Sequence, residues 1–158
     1  MVTEGLLPWY AANRRDLPWR KSREPYAVWV SEIMLQQTRV EAVIPYYRRF
    51  MQALPDVRAL ADAPEEQLLK LWEGLGYYSR VRNMQAAAGQ IVKRGGFPQT
   101  AEELKKLKGF GDYTAGAVAS IAFAQRAAAV DGNVLRVWTR MERVGESIKI
   151  PSVKRACT

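Results

Sequence analysis

Apolar positions recur every three or four residues along most of the chain, as in the segment that carries Leu68, Leu69 and Trp72. This spacing is typical of helices that bury one face, and no stretch shows the strict alternation of a β-strand. We therefore predict an all-α domain of short helices. The predicted helices cover about 25–35, 38–53, 57–61, 64–72, 77–93, 100–107 and 131–144, with one more after the glycines of 109–111.

Prolines, glycines and capping residues mark the predicted helix ends. Pro25 and Pro64 lie where helices begin, because proline is tolerated in a first helical turn. The segments Thr38 to Glu41 and Thr100 to Glu103 each fit an S/T-x-x-E capping box, in which both side chains bond to free amides. These signals predict two further helix starts.

Composition and charge narrow the class of partner. The chain has 158 residues, 48% of them hydrophobic, which suits one ordinary domain with a core. Lysine and arginine outnumber aspartate and glutamate by 24 to 16, a formal net charge of +8. This excess favours a polyanionic partner such as nucleic acid, with an ordinary solvated basic surface as the alternative.

The cysteine and histidine counts exclude several kinds of chemistry. Cys157 is the single cysteine and there is no histidine, so internal disulfides, a multi-cysteine metal cluster held by this chain and imidazole catalysis are excluded. A lone cysteine also favours a reducing, intracellular setting. No signal peptide and no apolar run near the roughly 18 residues of a membrane span is visible, so we expect no membrane partner.

A glycine-bracketed turn, Gly109-Phe110-Gly111, precedes a helix of small residues. Two glycines permit unusual backbone dihedrals, and Phe110 would plug the turn from beneath. Amides at such a turn and at the next helix N-terminus can hold one phosphate, although an ordinary helix-helix turn is the alternative. Lys108 favours phosphate contact, whereas Asp112 would oppose it unless it interacts with the helix N-terminus.

Glu32 is a carboxylate on a predominantly apolar helix face. On a helix from Pro25 it shares that face with Val28, Trp29 and Leu35. Desolvation raises the pKa of a carboxyl group, and a glutamic acid that stays protonated near neutral pH can act as a general acid. A glutamate at the helix edge with its head in water is the alternative.

Asp131, in "AVDGNVLRVW", lies where an N-cap is expected, and capping alone would explain it. Hydrogen bonds from helix amides also keep a carboxylate ionised, which suits a group that stabilises a cationic sugar. A protonated acid and an ionised aspartate are the two groups needed to cleave an N-glycosidic bond. The separation of Glu32 and Asp131 along the chain does not show whether they meet.

The order of motifs along the chain resembles the catalytic domain of MutY-type adenine DNA glycosylases, within the helix-hairpin-helix glycosylase superfamily. The arrangement L-x-G-x-G-x-Y-T-A-G around the glycine turn resembles the helix-hairpin-helix of DNA repair glycosylases and endonucleases, which binds DNA backbone without regard to sequence. The resemblance runs from about Pro8 to Val144 and is carried by "RRDLPWR", "SEIMLQQT", "IPYYRRF", "LWEGLGYYSRVRN", "FPQT", "LKGFGDYTAGAVAS" and "VDGNV".

This resemblance implies removal of adenine mispaired with 8-oxoguanine or guanine in double-stranded DNA, after the base is turned out of the duplex. Glu32 would protonate adenine at N7, and Asp131 would stabilise the sugar cation. The remaining implied sites are Tyr113 and Asn133 around the sugar; Arg20, Arg15 and Trp19 in the adenine pocket; Gln37, Tyr77 and Leu35 as a wedge in the base stack; and Lys108, Gly109, Phe110 and Gly111 on the DNA backbone.

Several of these residues also have purely structural interpretations. Tyr77 and Trp19 fit core aromatics, and Asn133 fits a first-turn residue. The position of Tyr113 holds a Schiff-base lysine in superfamily members that also cut the backbone, so tyrosine predicts a monofunctional glycosylase. A mismatch thymine glycosylase or an endonuclease III-like relative is the alternative within the class; a DNA-binding module without turnover and a helical scaffold are alternatives outside it.

Relatives of this kind usually continue into a four-cysteine segment that binds a 4Fe-4S cluster and then into a domain that reads 8-oxoguanine. This chain ends at Thr158, before both, so we expect it to hold no cluster, with a monovalent cation on hairpin carbonyls as the one implied ion.

We assign 1–20 to a segment that packs on the cluster module in full-length relatives, and 21–158 to the helical catalytic domain, with the hairpin at 104–123. We expect a cytoplasmic or otherwise intracellular monomer, nucleoid-associated in a bacterium. We expect residues 1 to about 20 to be incompletely covered by this chain, including the apolar side chains of Leu6, Leu7, Trp9 and Tyr10.

Overall fold

The computed structural model describes residues 2–157, and within them every regular element is helical, which confirms the predicted all-α class. A 3-10 turn, Pro18–Arg20, lies between the first two α-helices. None of the described helices combines the length and the apolar content needed to cross a membrane. The α-helices are α1 Val2–Asn13, α2 Pro25–Leu35, α3 Val40–Ala53, α4 Val57–Asp62, α5 Glu65–Trp72, α6 Ser79–Arg94, α7 Ala101–Leu104, α8 Asp112–Phe123, α9 Gly132–Met141 and α10 Pro151–Cys157.

Helix α2 lies at the centre of the fold. Eight of its 11 residues are buried, so it is apolar on nearly all sides, as expected of a helix enclosed by others. It packs against α8, α3 and the 3-10 turn. Its placement matters for function because Glu32 is carried on this rigid central element.

Helices α3 to α6 complete the core on the other side. Helix α6 packs on α4, and α5 packs on α3 and α6. The rings of Phe50 and Trp72, both fully buried, meet edge to face with centroids 6.0 Å apart. The Gln85 side-chain amide donates a 2.7 Å hydrogen bond to the Ala63 carbonyl, which satisfies a backbone group in the turn after α4.

Two predicted helix starts differ from the structure. The capping box at Thr38 is wrong: Arg39 is the N-cap of α3, and the Thr38 hydroxyl donates instead to the Gln36 carbonyl at 3.3 Å. Helix α6 begins at Ser79 rather than at Tyr77, because Tyr77 has a φ of 48° and cannot belong to a right-handed helix. The cap at Thr100 is confirmed, since its hydroxyl accepts a hydrogen bond from the Glu103 amide.

Two predicted helices end earlier than expected. Helix α7 stops at Leu104, and α9 stops at Met141 rather than at Val144. Beyond α9, Arg143 has a φ of 53°, which breaks the right-handed helical path. A left-handed residue at a helix end cannot be read from apolar spacing alone, because arginine is not a residue typical of that conformation.

The N-terminal segment divides into an exposed and a buried part. Four large apolar side chains of α1 are between 43% and 68% exposed, which confirms their predicted incomplete coverage; they are Leu6, Leu7, Trp9 and Tyr10. Leu17 and Trp19 are instead buried in the main core, where Trp19 meets the ring of Tyr47 edge to face at 5.3 Å. The expectation of incomplete coverage therefore fails for these two residues, since they pack against this same chain.

Candidate active site

The hairpin between α7 and α8 is held by one glycine and one aromatic ring. Gly109 has a φ of 79°, a left-handed conformation that glycine adopts readily, and an added Cβ would lie 2.9 Å from the Asn83 Cβ. Gly111 has an ordinary φ of −86° and serves as N-cap of α8, so the expectation of unusual dihedrals holds for Gly109 alone. Phe110 is buried and stacks on Trp29 with ring centroids 5.0 Å apart, which confirms the predicted plug.

The first turn of α8 presents backbone amides without a side-chain cap, because its N-cap residue is Gly111. Asp112 lies in this turn, where its carboxylate pairs with Lys105 at 3.1 Å and with Lys154 at 3.8 Å. The hydrogen bond from Lys105, helped by both ammonium charges, lowers the pKa of Asp112 below its ordinary value. These lysines offset the repulsion that an aspartate here would otherwise exert on a phosphate.

A close backbone approach connects α8 to the segment before Asp131. An added Cβ at Gly116 would overlap the carbonyl oxygen of Ala128 and lie 2.8 Å from its carbonyl carbon. Glycine at this helix position therefore lets the chain at 128–129 lie directly against α8. Three residues beyond Ala128, Asp131 is the N-cap of α9.

Glu32 is half-buried at the inner wall of a cleft. Burial raises its pKa above the ordinary 4.5, the Tyr113 hydroxyl opposes this by hydrogen bonding to the carboxylate, and the negative charge of Asp131 raises it again. The predicted direction of the pKa shift is confirmed. Glu32 and Asp131 both line this cleft, which their separation along the chain left open.

Asp131 is the N-cap of α9, as predicted. One carboxylate oxygen accepts a 2.8 Å hydrogen bond from the Val134 amide, and the other accepts a 3.0 Å bond from the side-chain amide of Asn133. Arg136 in turn donates to the Asn133 side-chain oxygen at 2.7 Å, which fixes the orientation of that amide. Asp131 is thus held in place by donors on both carboxylate oxygens.

One cleft of about 1090 Å³ brings most of the predicted site together. Its wall combines both carboxylates with tyrosine, amide, arginine and apolar side chains, an arrangement suited to a planar base and its sugar. The predicted residues that line it are Glu32, Asp131, Tyr113, Asn133, Arg20, Trp19, Leu35 and Gln37.

With this geometry in place, the family can be assigned. Residues 30–157 match the HhH-GPD superfamily of base excision DNA repair proteins. The chain belongs to this superfamily. The match spans the hairpin and both carboxylates, and it confirms the predicted helix-hairpin-helix glycosylase fold.

Curated HhH-GPD relatives carry the name adenine DNA glycosylase. The protein from Rattus norvegicus is 52% identical over 151 residues, which cover 89% of this chain and 29% of that protein. The Homo sapiens protein is 51% identical, with 89% and 28% covered. The protein from Buchnera aphidicola subsp. Baizongia pistaciae is 45% identical over 139 residues, with 85% and 39% covered. The predicted resemblance to adenine glycosylases is confirmed, and the chain spans about 29% of the length of the first of these relatives.

Solved HhH-GPD structures share the fold. A thermostable thymine-DNA glycosylase superposes with a TM-score of 0.77 at 30% identity, covering 83% of this chain and 62% of that one. An endonuclease III trapped as a covalent intermediate with DNA also superposes with a TM-score of 0.77, at 25% identity, covering 92% and 69%.

Six predicted site residues do not line this cleft; they are Arg15, Tyr77 and the four hairpin residues Lys108, Gly109, Phe110 and Gly111. Arg15 pairs with Glu41 through a 3.1 Å contact on the surface, outside the cleft wall. Tyr77 lies outside it as well, 66% exposed, and its φ of 48° places it at a left-handed turn. Gln37, on the cleft rim, is likewise left-handed, with a φ of 59°. The high exposure of Tyr77 argues against its interpretation as an ordinary core aromatic, whereas Trp19 is buried in the core and also reaches the cleft.

The cleft contains residues that the sequence did not single out for this site. Tyr10 extends from α1 into the wall, and the Arg20 guanidinium lies 5.7 Å from the centre of its ring, within the range of a cation-π contact. From the sequence, the apolar character of Tyr10 predicts only an incompletely covered side chain. Arg14, Arg23 and Ile121 also line the cleft, and no local pattern distinguishes them from surface residues.

Metal binding is not supported by the donors in the described part of the chain. Among residues 2–157, no three histidine, cysteine, aspartate or glutamate side chains gather into a group that could hold a metal ion. The side chains described here therefore do not fit a 4Fe-4S cluster, which needs four cysteine ligands. The monovalent cation on the hairpin carbonyls stays a prediction.

Proposed function

We propose that this chain is the catalytic part of a monofunctional DNA glycosylase that removes adenine from a mispair with 8-oxoguanine or guanine. The observation that carries the proposal is the pairing of two carboxylates in one cleft, Glu32 with a raised pKa and Asp131 held by amide donors. Those are the acid and the anion that cleavage of an N-glycosidic bond requires. The names of the curated relatives support adenine as the base.

The proposed reaction begins with a proton. Protonated Glu32 donates to N7 of the flipped adenine, and the bond from the sugar to N9 breaks with both electrons passing to the base. The sugar becomes an oxocarbenium ion, whose positive charge the ionised carboxylate of Asp131 stabilises. Water then adds to the sugar carbon and gives its proton to the carboxylate that Glu32 has become, which restores the acid and leaves an abasic site and free adenine.

Tyr113 supports this chemistry without forming a covalent bond. Its hydroxyl hydrogen bonds to Glu32. Burial, and to a smaller extent the negative charge of Glu32, raises the pKa of the Tyr113 hydroxyl, so it stays a neutral donor. A phenol has no amine to form a Schiff base with the sugar, so strand cleavage by that route is not expected. Asn133 orients Asp131 through its side-chain amide.

The DNA partner would be held from two sides of the cleft. The uncapped amides at the start of α8, together with Gly109 and Lys108, suit the phosphate backbone. The exposed Gln37 and Tyr77, with Leu35 on the cleft wall, suit a wedge that fills the space left by the flipped base. Arg20 and Trp19 would flank the adenine in the cleft. Arg15 is assigned no contact with the base, because it pairs with Glu41 outside the cleft.

Removal of thymine from a mismatch is the second candidate, because a thymine-DNA glycosylase shares the fold at 30% identity. A tyrosine at the position of Tyr113 is compatible with both activities. Identities of 51% and 52% to proteins named adenine DNA glycosylase favour adenine. The experiment therefore includes a guanine:thymine duplex.

Single-turnover base release tests the proposal. The chain is mixed in excess with an 8-oxoguanine:adenine duplex, and released adenine is followed for the wild type, Glu32→Gln and Asp131→Asn. Each variant should lose about a hundredfold or more in rate, the scale of a missing general acid or of a lost electrostatic stabiliser. Asp56→Asn is a matched control, because Asp56 caps α4 by accepting from the Ala59 amide but lies outside the cleft.

Other outcomes would contradict the proposal in distinct ways. Salt-sensitive binding without base release by the wild type would favour a DNA-binding module, and no binding at low salt would favour a scaffold. Release from the guanine:thymine duplex alone would reverse the base assignment. A protein-DNA adduct trapped by borohydride would show an imine and remove the monofunctional assignment.

A further inference from the structure

Arg80, in the first turn of α6, makes four hydrogen bonds to backbone carbonyls of two separate segments. One terminal nitrogen donates to Ile33 at 2.8 Å and to Gln36 at 2.6 Å, at the end of α2. The other donates to Leu75 at 3.0 Å and to Gly76 at 3.3 Å, in the loop before α6. A single guanidinium thus joins the end of α2 to this loop.

The acceptors explain why a cation is bound at this point. The last carbonyls of a helix have no partner within the helix and carry partial negative charge, which favours a nearby cation. In the loop, the Gly76 carbonyl also accepts a 3.0 Å bond from the indole of Trp72, a fully buried residue. The guanidinium also lies 5.4 Å from the Trp72 ring centre and 5.7 Å from that of Tyr77. Arg80 is therefore fixed between a helix end and the core.

The two joined segments lead directly into the two left-handed residues of the site. Gln37 follows the Gln36 carbonyl and has a φ of 59°, and Tyr77 follows the Gly76 carbonyl and has a φ of 48°. Non-glycine residues rarely adopt this conformation, and it persists where surrounding contacts determine it. The bonds of Arg80 fall on the peptide that precedes each of them.

We propose that Arg80 is a positioning residue that holds Gln37 and Tyr77 side by side as a single DNA wedge, acting through the backbone of both segments. This inference rests on the proposed function, because a wedge is needed only where a base is turned out of the duplex. Arg80 itself contacts neither base nor sugar in this scheme. Its fork of donors reaches two segments at once, which a lysine ammonium on a single flexible stem does not do.

Direct contact with a DNA phosphate is the alternative role for an arginine near the DNA. Burial lowers the pKa of the Arg80 guanidinium, and both terminal nitrogens are already bonded to carbonyls. A phosphate contact would need those bonds to break. Arg80→Lys distinguishes the two roles. A lysine can replace arginine in a phosphate contact, whereas hydrogen bonds to four carbonyls on two segments need the forked donors of a guanidinium.

Base extrusion provides the functional test. A Glu32→Gln background keeps the glycosidic bond intact, and 2-aminopurine opposite 8-oxoguanine reports unstacking by its fluorescence. In this background Arg80→Lys and Arg80→Met should both lower the extrusion rate by about tenfold or more, as misplacement of a positioning group does. Arg82→Met is the control, because Arg82 lies on the same helix and its side chain pairs with the surface carboxylate of Glu65.

Hydrogen exchange of the free protein tests the tie without DNA. Amides of 36–38 and 76–78 should exchange faster in both Arg80 variants than in the wild type, while amides of α2 before Ile33 keep their rates. Full extrusion by Arg80→Lys would overturn the proposal. It would also be overturned if an Arg80 variant kept extrusion while the slope of log affinity against log salt concentration fell in magnitude by about one, because that is the sign of a lost phosphate contact. An equal loss in Arg82→Met would also overturn it.

Failure of the proposed function gives a different pattern. If the wild-type chain binds the duplex and extrudes no base, the glycosylase proposal fails while the exchange rates still decide whether Arg80 holds the two segments. Unchanged exchange in both Arg80 variants would then overturn the inference. Arg80→Lys retains the stem and the charge, so it provides a folded protein if Arg80→Met does not fold.

Discussion

Gly116→Ala would test how the fold brings Asp131 to the cleft. Gly116 lies inside α8, where alanine is the better helix former and should by propensity alone add about 1 kcal/mol to the free energy of unfolding. The added Cβ, however, would overlap the Ala128 carbonyl oxygen. The substitution therefore sets a known gain against a clash with backbone.

The clash should outweigh the gain. Overpacking a well-filled site costs about 1–3 kcal/mol, and the upper end applies because a backbone carbonyl cannot rotate away like a flexible side chain. Subtracting the propensity gain of about 1 kcal/mol leaves a net loss of about 2 kcal/mol. For a protein of this length that lowers the melting temperature by about 4–8 °C. The displaced 128–129 segment should also move Asp131 and slow base release.

Gly89→Ala is the matched control for this experiment. Gly89 lies inside α6, and nothing lies within 4 Å of an added Cβ, so only the propensity gain remains. Urea denaturation should show this variant to be stabilised by about 0.5–1 kcal/mol, and Gly116→Ala to be destabilised. Equal stability of the two variants would refute the close approach of Ala128 to α8. Normal base release by a destabilised Gly116→Ala would refute its link to Asp131.

Two further predictions concern the carboxylates. The raised pKa of Glu32 means that the folded state binds more protons than the unfolded state, so the stability contribution of Glu32 falls as pH rises from 4.5 through the folded-state pKa. Glu32→Gln should therefore be more stable than the wild type near neutral pH and lose that advantage below pH 4.5. Urea denaturation at both pH values measures this difference. A stability advantage that grows in acid would contradict the burial of Glu32. Asp131→Ala should lose about 1 kcal/mol of cap stability, whereas Asp131→Asn should stay within a few tenths and still abolish base release. A large thermal shift in Asp131→Asn would contradict the view of the carboxylate as a replaceable cap.

Local rules predicted the helices well where apolar spacing and capping agreed. The Thr100 cap and the Phe110 plug follow from residue type and spacing within a few positions, which is the range over which such rules act. Glu32 could be singled out because a carboxylate on the face of Val28 and Trp29 is unusual in any helix. The direction of its pKa shift then follows from burial alone.

Long-range geometry could not be predicted in this way. The meeting of Glu32 and Asp131 depends on the approach of Ala128 to Gly116, which no spacing rule contains. Thr38 does not cap α3 because its hydroxyl donates to the Gln36 carbonyl, across the left-handed turn at Gln37. Arg80 gave no signal, because an arginine in a first helical turn is an ordinary surface residue until its acceptors are known.

The left-handed backbone at Gln37 and Tyr77 sets a limit on engineering this protein for heat resistance. Each non-glycine residue in that conformation costs about 1–2 kcal/mol, so glycine at either position would relieve the backbone strain. A screen that scores survival at high temperature would therefore favour replacing the two side chains assigned to the DNA wedge. Variants selected in this way would be more stable but would lack the side chains that insert into the base stack, unless DNA repair is part of the selection.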